Sequence, residues 1–242
     1  PRTKHGGDND GDNSGVLSYA RIEFAGNPFK ADQEINGLTL GSVGSGTKID
    51  HVQVSYSNDD SFEWFGGAVN CKYLVAYKGW DDDFDTDNGY SGKVQFGLSV
   101  RDPRLADQSQ SNGFESDNCA DGAQLTPYTT ATFSNITFVG PKAAADFQND
   151  KSYITGGFPN NGSGLGKFQS AMQIRRSSRL NCVNSVATDW PIGLIVDGEK
   201  GNTVEQANAG TLNLKNIYFA NMDVVGTDAN KCYEDKEYDF KT

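Results

Sequence analysis

The 242-residue chain carries 28 glycines, only 7 prolines and a formal net charge of −11. Such an excess of negative charge repels nucleic-acid phosphates and anionic membrane surfaces, and no stretch is long and apolar enough to span a bilayer. Metal cations and sugars remain as partners.

Residues 1–14 are polar and rich in glycine, and read as an N-terminal arm or cap. The chain starts at Pro1 rather than at a methionine, so it reads as a processed or partial piece of a longer protein. Two series of short β-type alternations then interleave along the chain. The first series runs Arg21-Ile-Glu-Phe-Ala25, His51-Val-Gln-Val-Ser-Tyr56, Tyr73-Leu-Val-Ala-Tyr77, Val94-Gln-Phe-Gly-Leu-Ser-Val100, Asn135-Ile-Thr-Phe-Val139, Cys182-Val-Asn-Ser-Val186 and Asn216-Ile-Tyr-Phe-Ala220. The second runs Asn36-Gly-Leu-Thr-Leu-Gly41, Asp60-Ser-Phe-Glu-Trp-Phe-Gly-Gly67, Asp82-Asp-Phe-Asp-Thr-Asp-Asn-Gly89, Asn112-Gly-Phe-Glu-Ser-Asp-Asn118, Ala171-Met-Gln-Ile-Arg175 and Gly193-Leu-Ile-Val-Asp197. Residues 221–242 read as a C-terminal tail.

The spacing carries the fold. Phe62 to Phe84, Met172 to Leu194, and Val52 to Leu74 to Phe96 are all steps of 22 residues. A fixed step that returns the same residue type at the same phase marks one coil of a solenoid. A β-sandwich would explain the alternation but not the step. The chain is therefore expected to be all-β, a single right-handed parallel β-helix of about 22 residues per coil with loop insertions. Arg101–Ser111 and Gly140–Phe168 are the insertions. Both fall between the first and second strand of a coil, so both should overhang the same sheet edge.

Side chains alternate across a strand. With Phe62, Phe84 and Phe114 inward, Leu38, Met172 and Leu194 join them in one column, and Leu40, Trp64, Thr86, Ser116, Ile174 and Val196 form the next. The outward columns are then acidic. One reads Thr39, Glu63, Asp85, Glu115, Gln173, Ile195. Its neighbour reads Gly41, Phe65, Asp87, Asp117, Arg175, Asp197. Asp83 is expected in a third. Glu63, Asp83, Asp85, Asp87, Glu115 and Asp117 thus form one patch, with Asp81, Asp82 and Asn88 as further oxygen donors in the turns. Strands about 4.8 Å apart place these charges where each pair repels by about 1 kcal/mol even in a water-like dielectric. A hard cation offsets that repulsion, and Ca2+ tolerates irregular cages of oxygen ligands. The run Asp83-x-Asp85-x-Asp87 is not an EF-hand, because Val94 stands where the bidentate Glu would be. A solvated acidic strip with raised carboxylate pKa values is the alternative.

Four cysteines (Cys71, Cys119, Cys182 and Cys232) form no CxxC pair, and His5 and His51 are the only histidines, which argues against zinc. Two disulfides in three connectivities are open, with Cys182–Cys232 expected to tie the tail to the body.

The phrases Ile35-Asn-Gly-Leu-Thr-Leu-Gly41, Ile49-Asp-His-Val-Gln-Val-Ser-Tyr56, Asp60–Gly67, Asp82–Tyr90, Lys93-Val-Gln-Phe96 and Asn112–Asp117 resemble a family of bacterial secreted or surface proteins with pectin-lyase-like parallel β-helices, found in Bacteroidetes and Proteobacteria. The resemblance implies the fold, an extracellular or outer-membrane-surface location and further coils upstream. It implies no chemistry, because most members have no established activity.

Three functional readings follow. An extracellular module with a calcium-binding face would hold glycan or play a structural part, using Phe65, Trp80 and Tyr90 as exposed aromatics beside polar groups. A calcium-dependent polysaccharide lyase acting on uronate polymers would need a basic residue as proton acceptor, and Arg175, Arg101 and Arg104 are the candidates. A polygalacturonase-like hydrolase would use paired carboxylates, which Asp59-Asp60 and Asp85-Thr-Asp87 resemble, although that family's Gly-His-Gly and Arg-Ile-Lys elements are missing. The module reading is preferred. Open coil ends are a further route to self-association.

Overall fold

The computed structural model describes residues 4–27, 35–107, 109–147 and 168–227. Among these residues fourteen strands, β1–β14 in chain order, form two seven-stranded sheets, and neighbouring strands pair in parallel. The odd-numbered strands are β1 (Val16–Glu23), β3 (Lys48–Ser55), β5 (Asn70–Tyr77), β7 (Lys93–Val100), β9 (Thr132–Val139), β11 (Asn181–Thr188) and β13 (Leu214–Ala220). The even-numbered strands are β2 (Leu38–Val43), β4 (Phe62–Gly67), β6 (Phe84–Asp87), β8 (Phe114–Ser116), β10 (Ser170–Ile174), β12 (Ile192–Val196) and β14 (Val224–Thr227). Each sheet stacks its strands in chain order, so every coil contributes one strand to each sheet. This is the parallel β-helix that the 22-residue step predicts. Helix is confined to α1 (Thr203–Asn208) and a 3-10 turn at Pro141–Ala143 among the described residues.

The core lies between the sheets and is built from the predicted columns. Phe62, Phe84, Phe114, Met172 and Leu194 pair one above another across β4, β6, β8, β10 and β12, all fully buried. The rings of Phe62 and Phe84 stack at 5.6 Å, and Phe133 and Phe138 of β9 close on Phe84 from the opposite sheet. Trp64, Thr86, Ser116, Ile174 and Val196 form the adjacent buried column. Its two hydroxyls satisfy each other, with Thr86 Oγ1 donating to Ser116 Oγ at 2.8 Å.

The odd-numbered strands are bent. Tyr19, His51, Tyr73, Phe96, Asn135, Asn184 and Asn216 occupy one column, and all have φ between 51° and 61°. Non-glycine residues pay for this left-handed conformation. The column compensates by stacking. Tyr19, His51, Tyr73 and Phe96 form a ring ladder with centroids 4.3, 4.5 and 5.2 Å apart, and Asn216 Nδ2 donates to Asn184 Oδ1 at 3.0 Å. Phe96 was expected to lie over Leu74. Gly97 takes that place instead, because the stretch from Asp87 to Val94 is one residue longer than the stretch from Phe65 to Cys71 with which it pairs. Phe96 falls on the bend and points outward.

Beyond residue 221, Val224–Thr227 extends the even-numbered sheet as β14. One other expectation is corrected. Cys182 is a free thiol buried in the core, not half of a disulfide, and Cys232 lies outside the described residues. Burial pushes the Cys71 and Cys182 thiols up to about 12, so both behave as small apolar groups. Of the two insertions, Arg101–Ser111 folds back onto the turn before β6, with Asp107 N donating to the Trp80 carbonyl at 3.1 Å. Most of Gly140–Phe168 lies outside the described residues.

Candidate metal centre

The outward column of the even-numbered sheet pairs Thr39, Glu63, Asp85, Glu115, Gln173 and Ile195 in register, as predicted. Two turn acids per coil extend it. Asp59 and Asp60 precede β4, and Asp81 and Asp82 precede β6. A side-chain-to-backbone ladder sets these turns. Asp82 N donates to Asp60 Oδ1 at 2.9 Å, Asn112 N donates to Asp82 Oδ1, and Ser170 N donates to Asn112 Oδ1 at 3.1 Å. Carboxylates at the turn therefore belong to the solenoid's own hydrogen bonding, and their repetition concentrates charge.

Two trios converge. Carboxylate oxygens of Asp59, Asp60 and Asp81 lie within 4.8 Å of one another, as do those of Asp60, Glu63 and Asp85. Asp60 belongs to both. Each trio also holds one buried carboxylate oxygen with no hydrogen-bond partner, Asp81 Oδ1 in the first and Asp85 Oδ1 in the second. Asp81 Oδ2 accepts from Ser109 Oγ at 2.7 Å, and Glu63 Oε2 accepts from Asn36 Nδ2. Among the described residues no Lys or Arg forms an ion pair with Asp60, Glu63, Asp81, Asp82 or Asp85.

Among the described residues, cations pair with the acidic columns at one end only. Arg175 bonds Glu115 through Nη2 and Asp117 through Nε at 2.8 Å, and Arg176 holds the other Asp117 oxygen at 2.6 Å. Burial and then mutual repulsion push Asp60, Asp81, Asp82 and Asp85 well above the usual carboxylate range. Burial together with Asp59, Asp87 and Glu115 pushes Glu63 up to about 9. Glu115 rises to about 7, because burial outweighs its Arg175 partner. At an effective dielectric near 20, two carboxylates 4.8 Å apart repel by about 3 kcal/mol. These acids hold protons or a cation; they do not stand bare and ionised together. An all-oxygen set with orphaned buried lone pairs fits a hard divalent ion such as Ca2+.

The match that decides the family is to the model of the pectate-lyase-like β-helix domain, which covers residues 2–241. The chain belongs to this β-helix family. No curated protein and no solved structure matches it.

Within the family's fold, the predicted site residues divide. Glu63 and Asp85 lie at the centre. Glu115 is one coil further on, tied to Arg175. Asp87 and Asp117 flank the centre in the second outward column, Asp87 capping its neighbour Asn88 N at 2.6 Å. Asp83 is not on the face. It is buried behind the sheet, where Ser99 Oγ and Arg101 Nη1 bond its two oxygens at 2.5 and 3.0 Å. The reason is the chain's roll into β6. Gly37, Ser61, Asp83, Gly113, Ala171 and Gly193 share this corner, and a Cβ on Gly113 would meet Phe138 at 2.6 Å. The corner admits small residues, and Asp83 is the exception because Arg101 and Ser99 receive it.

The basic candidates divide as well. Arg101 is fully buried, its Nη1 and Nη2 also donating to the carbonyls of Asp81 and Trp80, so it is a clamp on the acidic turn and not a proton acceptor. Arg104 is exposed and pairs with Asp102, to which Lys78 also points. Arg175 alone borders the acids. Burial opposes its charge, but Glu115 and Asp117 override burial and raise its pKa, which suits a salt bridge rather than a base. Of the aromatics, Tyr90 is corrected: it is fully buried, stacked on Trp64 at 5.3 Å, with its hydroxyl donating to the Val69 carbonyl. Phe65 is half-buried beside the His5 ring, and Trp80 is half-exposed next to Asp81. Asp60 is the ligand candidate that reading the outward strand columns missed. The signal was there, since it stands 22 residues before Asp82.

Proposed function

We propose that this domain is an extracellular or cell-surface β-helix module that binds Ca2+ at Asp60, Glu63, Asp81 and Asp85, with polysaccharide as its partner. The observation that carries the reading is the pair of buried carboxylate oxygens without a hydrogen-bond partner, Asp81 Oδ1 and Asp85 Oδ1, beside Asp60 and Glu63, none of which forms an ion pair with a Lys or Arg among the described residues. Family membership supports a glycan-related or structural role. Calcium would let all four carboxylates ionise and would lock the turns before β4 and β6 together. The half-exposed rings of Trp80 and Phe65 border the face and suit sugar stacking.

The lyase reading is disfavoured by the engagement of all three arginines. The hydrolase reading has one supporting feature, the Glu63 carboxyl, which burial and the neighbouring acids push up to about 9, beside Asp85. Incubation with polygalacturonate, with and without calcium, separates these readings. Binding without turnover is expected. Unsaturated products absorbing in the ultraviolet would establish a lyase, and new reducing ends without unsaturation a hydrolase.

A further inference from the structure

The acids of the metal centre fall into two sets, and both sets join the same two coils. Asp59 to Asp81 and Glu63 to Asp85 are each steps of 22 residues, so one turn of the solenoid brings each pair together. Asp60 stands between the pairs, where the turn enters β4. With Asp60, the first pair lies over the turns that lead into β4 and β6, and the second lies over the strands themselves.

A calcium ion holds its oxygens at about 2.3–2.6 Å, so ligands on opposite sides of one ion stand about 5 Å apart at most. Carboxylate oxygens within 4.8 Å of one another fit one such sphere, and the two trios make two spheres with only Asp60 in common. Each sphere contains a residue with a buried oxygen that has no hydrogen-bond partner, Asp81 Oδ1 in the first and Asp85 Oδ1 in the second. One ion held in either trio leaves the other orphan unmet. Charge points the same way. The trios together contain five carboxylates, of which one divalent ion offsets two and a pair of ions four.

The neighbouring coils bound the cluster. Asn36 stands at the place of Asp60 in the coil before, and Ser111 and Asn112 stand at the places of Asp81 and Asp82 in the coil after. Glu115, the next acid of the strand column, is taken by Arg175. The turn acids therefore stop after two coils, which suits a pair of ions and not a longer row.

Resting on the calcium reading above, we infer that the centre is binuclear, with one Ca2+ held by Asp59, Asp60 and Asp81, a second held by Asp60, Glu63 and Asp85, and the Asp60 carboxylate shared. Asp59, which lies outside the strand columns, thereby becomes a ligand. The two ions clamp the β4 coil to the β6 coil twice, once at the turn and once at the strand. Because Asp60 serves both, its loss acts on both sites, whereas Asp59 and Glu63 each serve one.

The test counts ions. Metal-free protein is titrated with calcium chloride and followed by native mass spectrometry and calorimetry, and circular-dichroism melts in chelator show that each variant is folded. The wild type should saturate at two ions per chain. Asp59→Asn should keep only the ion at Asp60, Glu63 and Asp85, and Glu63→Gln only the ion at Asp59, Asp60 and Asp81, so each should saturate at one. Asp60→Asn should weaken both sites together. A wild type that saturates at a single ion would overturn the binuclear centre and leave the calcium reading standing, and a wild type that binds none would overturn both. Uptake of two ions by Asp59→Asn would also overturn the assignment.

Discussion

Arg101 Nη1 and Asp83 Oδ1 meet at 3.0 Å, and neither side chain reaches solvent. The pair joins the start of the β7–β8 loop to the turn before β6, and the same guanidinium holds the Trp80 and Asp81 carbonyls. It therefore fixes the backbone from which Asp81 and Asp82 project. Removing one member of a buried pair leaves an uncompensated charge, which costs about 3–5 kcal/mol. Arg101→Met should lower the unfolding free energy measured in urea by that amount. Replacing both, with Asp83→Leu, should recover most of it. Equal losses in the single and double variants would contradict the pairing.

The acidic centre fixes the direction of pH dependence. Glu63 and Glu115 are raised to about 9 and about 7, and Asp60, Asp81, Asp82 and Asp85 are raised as well. Between their unfolded values near 4 and these folded values, the native state binds more protons than the unfolded chain. Metal-free stability must then fall as pH rises through that window. Thermal melts in chelator should show Tm declining from pH 5 to pH 9, with calcium restoring more at the alkaline end, where its ligands no longer compete with protons. A Tm that rises with pH in chelator would contradict the raised values.

Phe84 touches the rings of Phe62, Trp64, Phe133 and Phe138 and is fully buried. Phe84→Ala should cost about 3–5 kcal/mol in denaturant unfolding, the range for a buried aromatic truncation. A near-neutral result would remove the ring from the core.

The bend column predicts an unusual ranking. Asn184 sits at φ 52° and accepts from Asn216. Asn184→Ala should lose about 1–2 kcal/mol, because alanine resists the left-handed region, whereas Asn184→Gly should lose less despite having no side chain. Melts of the two variants check the order.

Much of this was legible in the sequence because a solenoid turns spacing into position. Phe62 to Phe84 is one coil, so Glu63 and Asp85 had to be neighbours, and they are paired. Legibility failed at corners. Strict alternation places Asp83 outside, since it precedes inward Phe84, yet the chain rolls there and takes it in. The clue was the company it keeps, as Gly37, Ser61, Gly113, Ala171 and Gly193 are all small. Tyr90 was misjudged for a similar reason. Its ring turns inward after Gly89 and fills the corner over Gly92, where a Cβ would meet the Val69 carbonyl at 2.0 Å. The extra residue in that turn also moved Phe96 off the Leu74 column. Pattern reading follows strands well, whereas turns carry backbone conformations that the alternation does not encode.

The most direct test is calorimetric titration of calcium into the metal-free protein and into the Asp60→Asn, Asp85→Asn double variant. The wild type should bind with release of protons, seen as a heat that changes with the buffer's ionisation enthalpy, and the folded double variant should bind far more weakly or not at all. Equal binding by both proteins, or none by the wild type, would contradict a metal centre at these carboxylates.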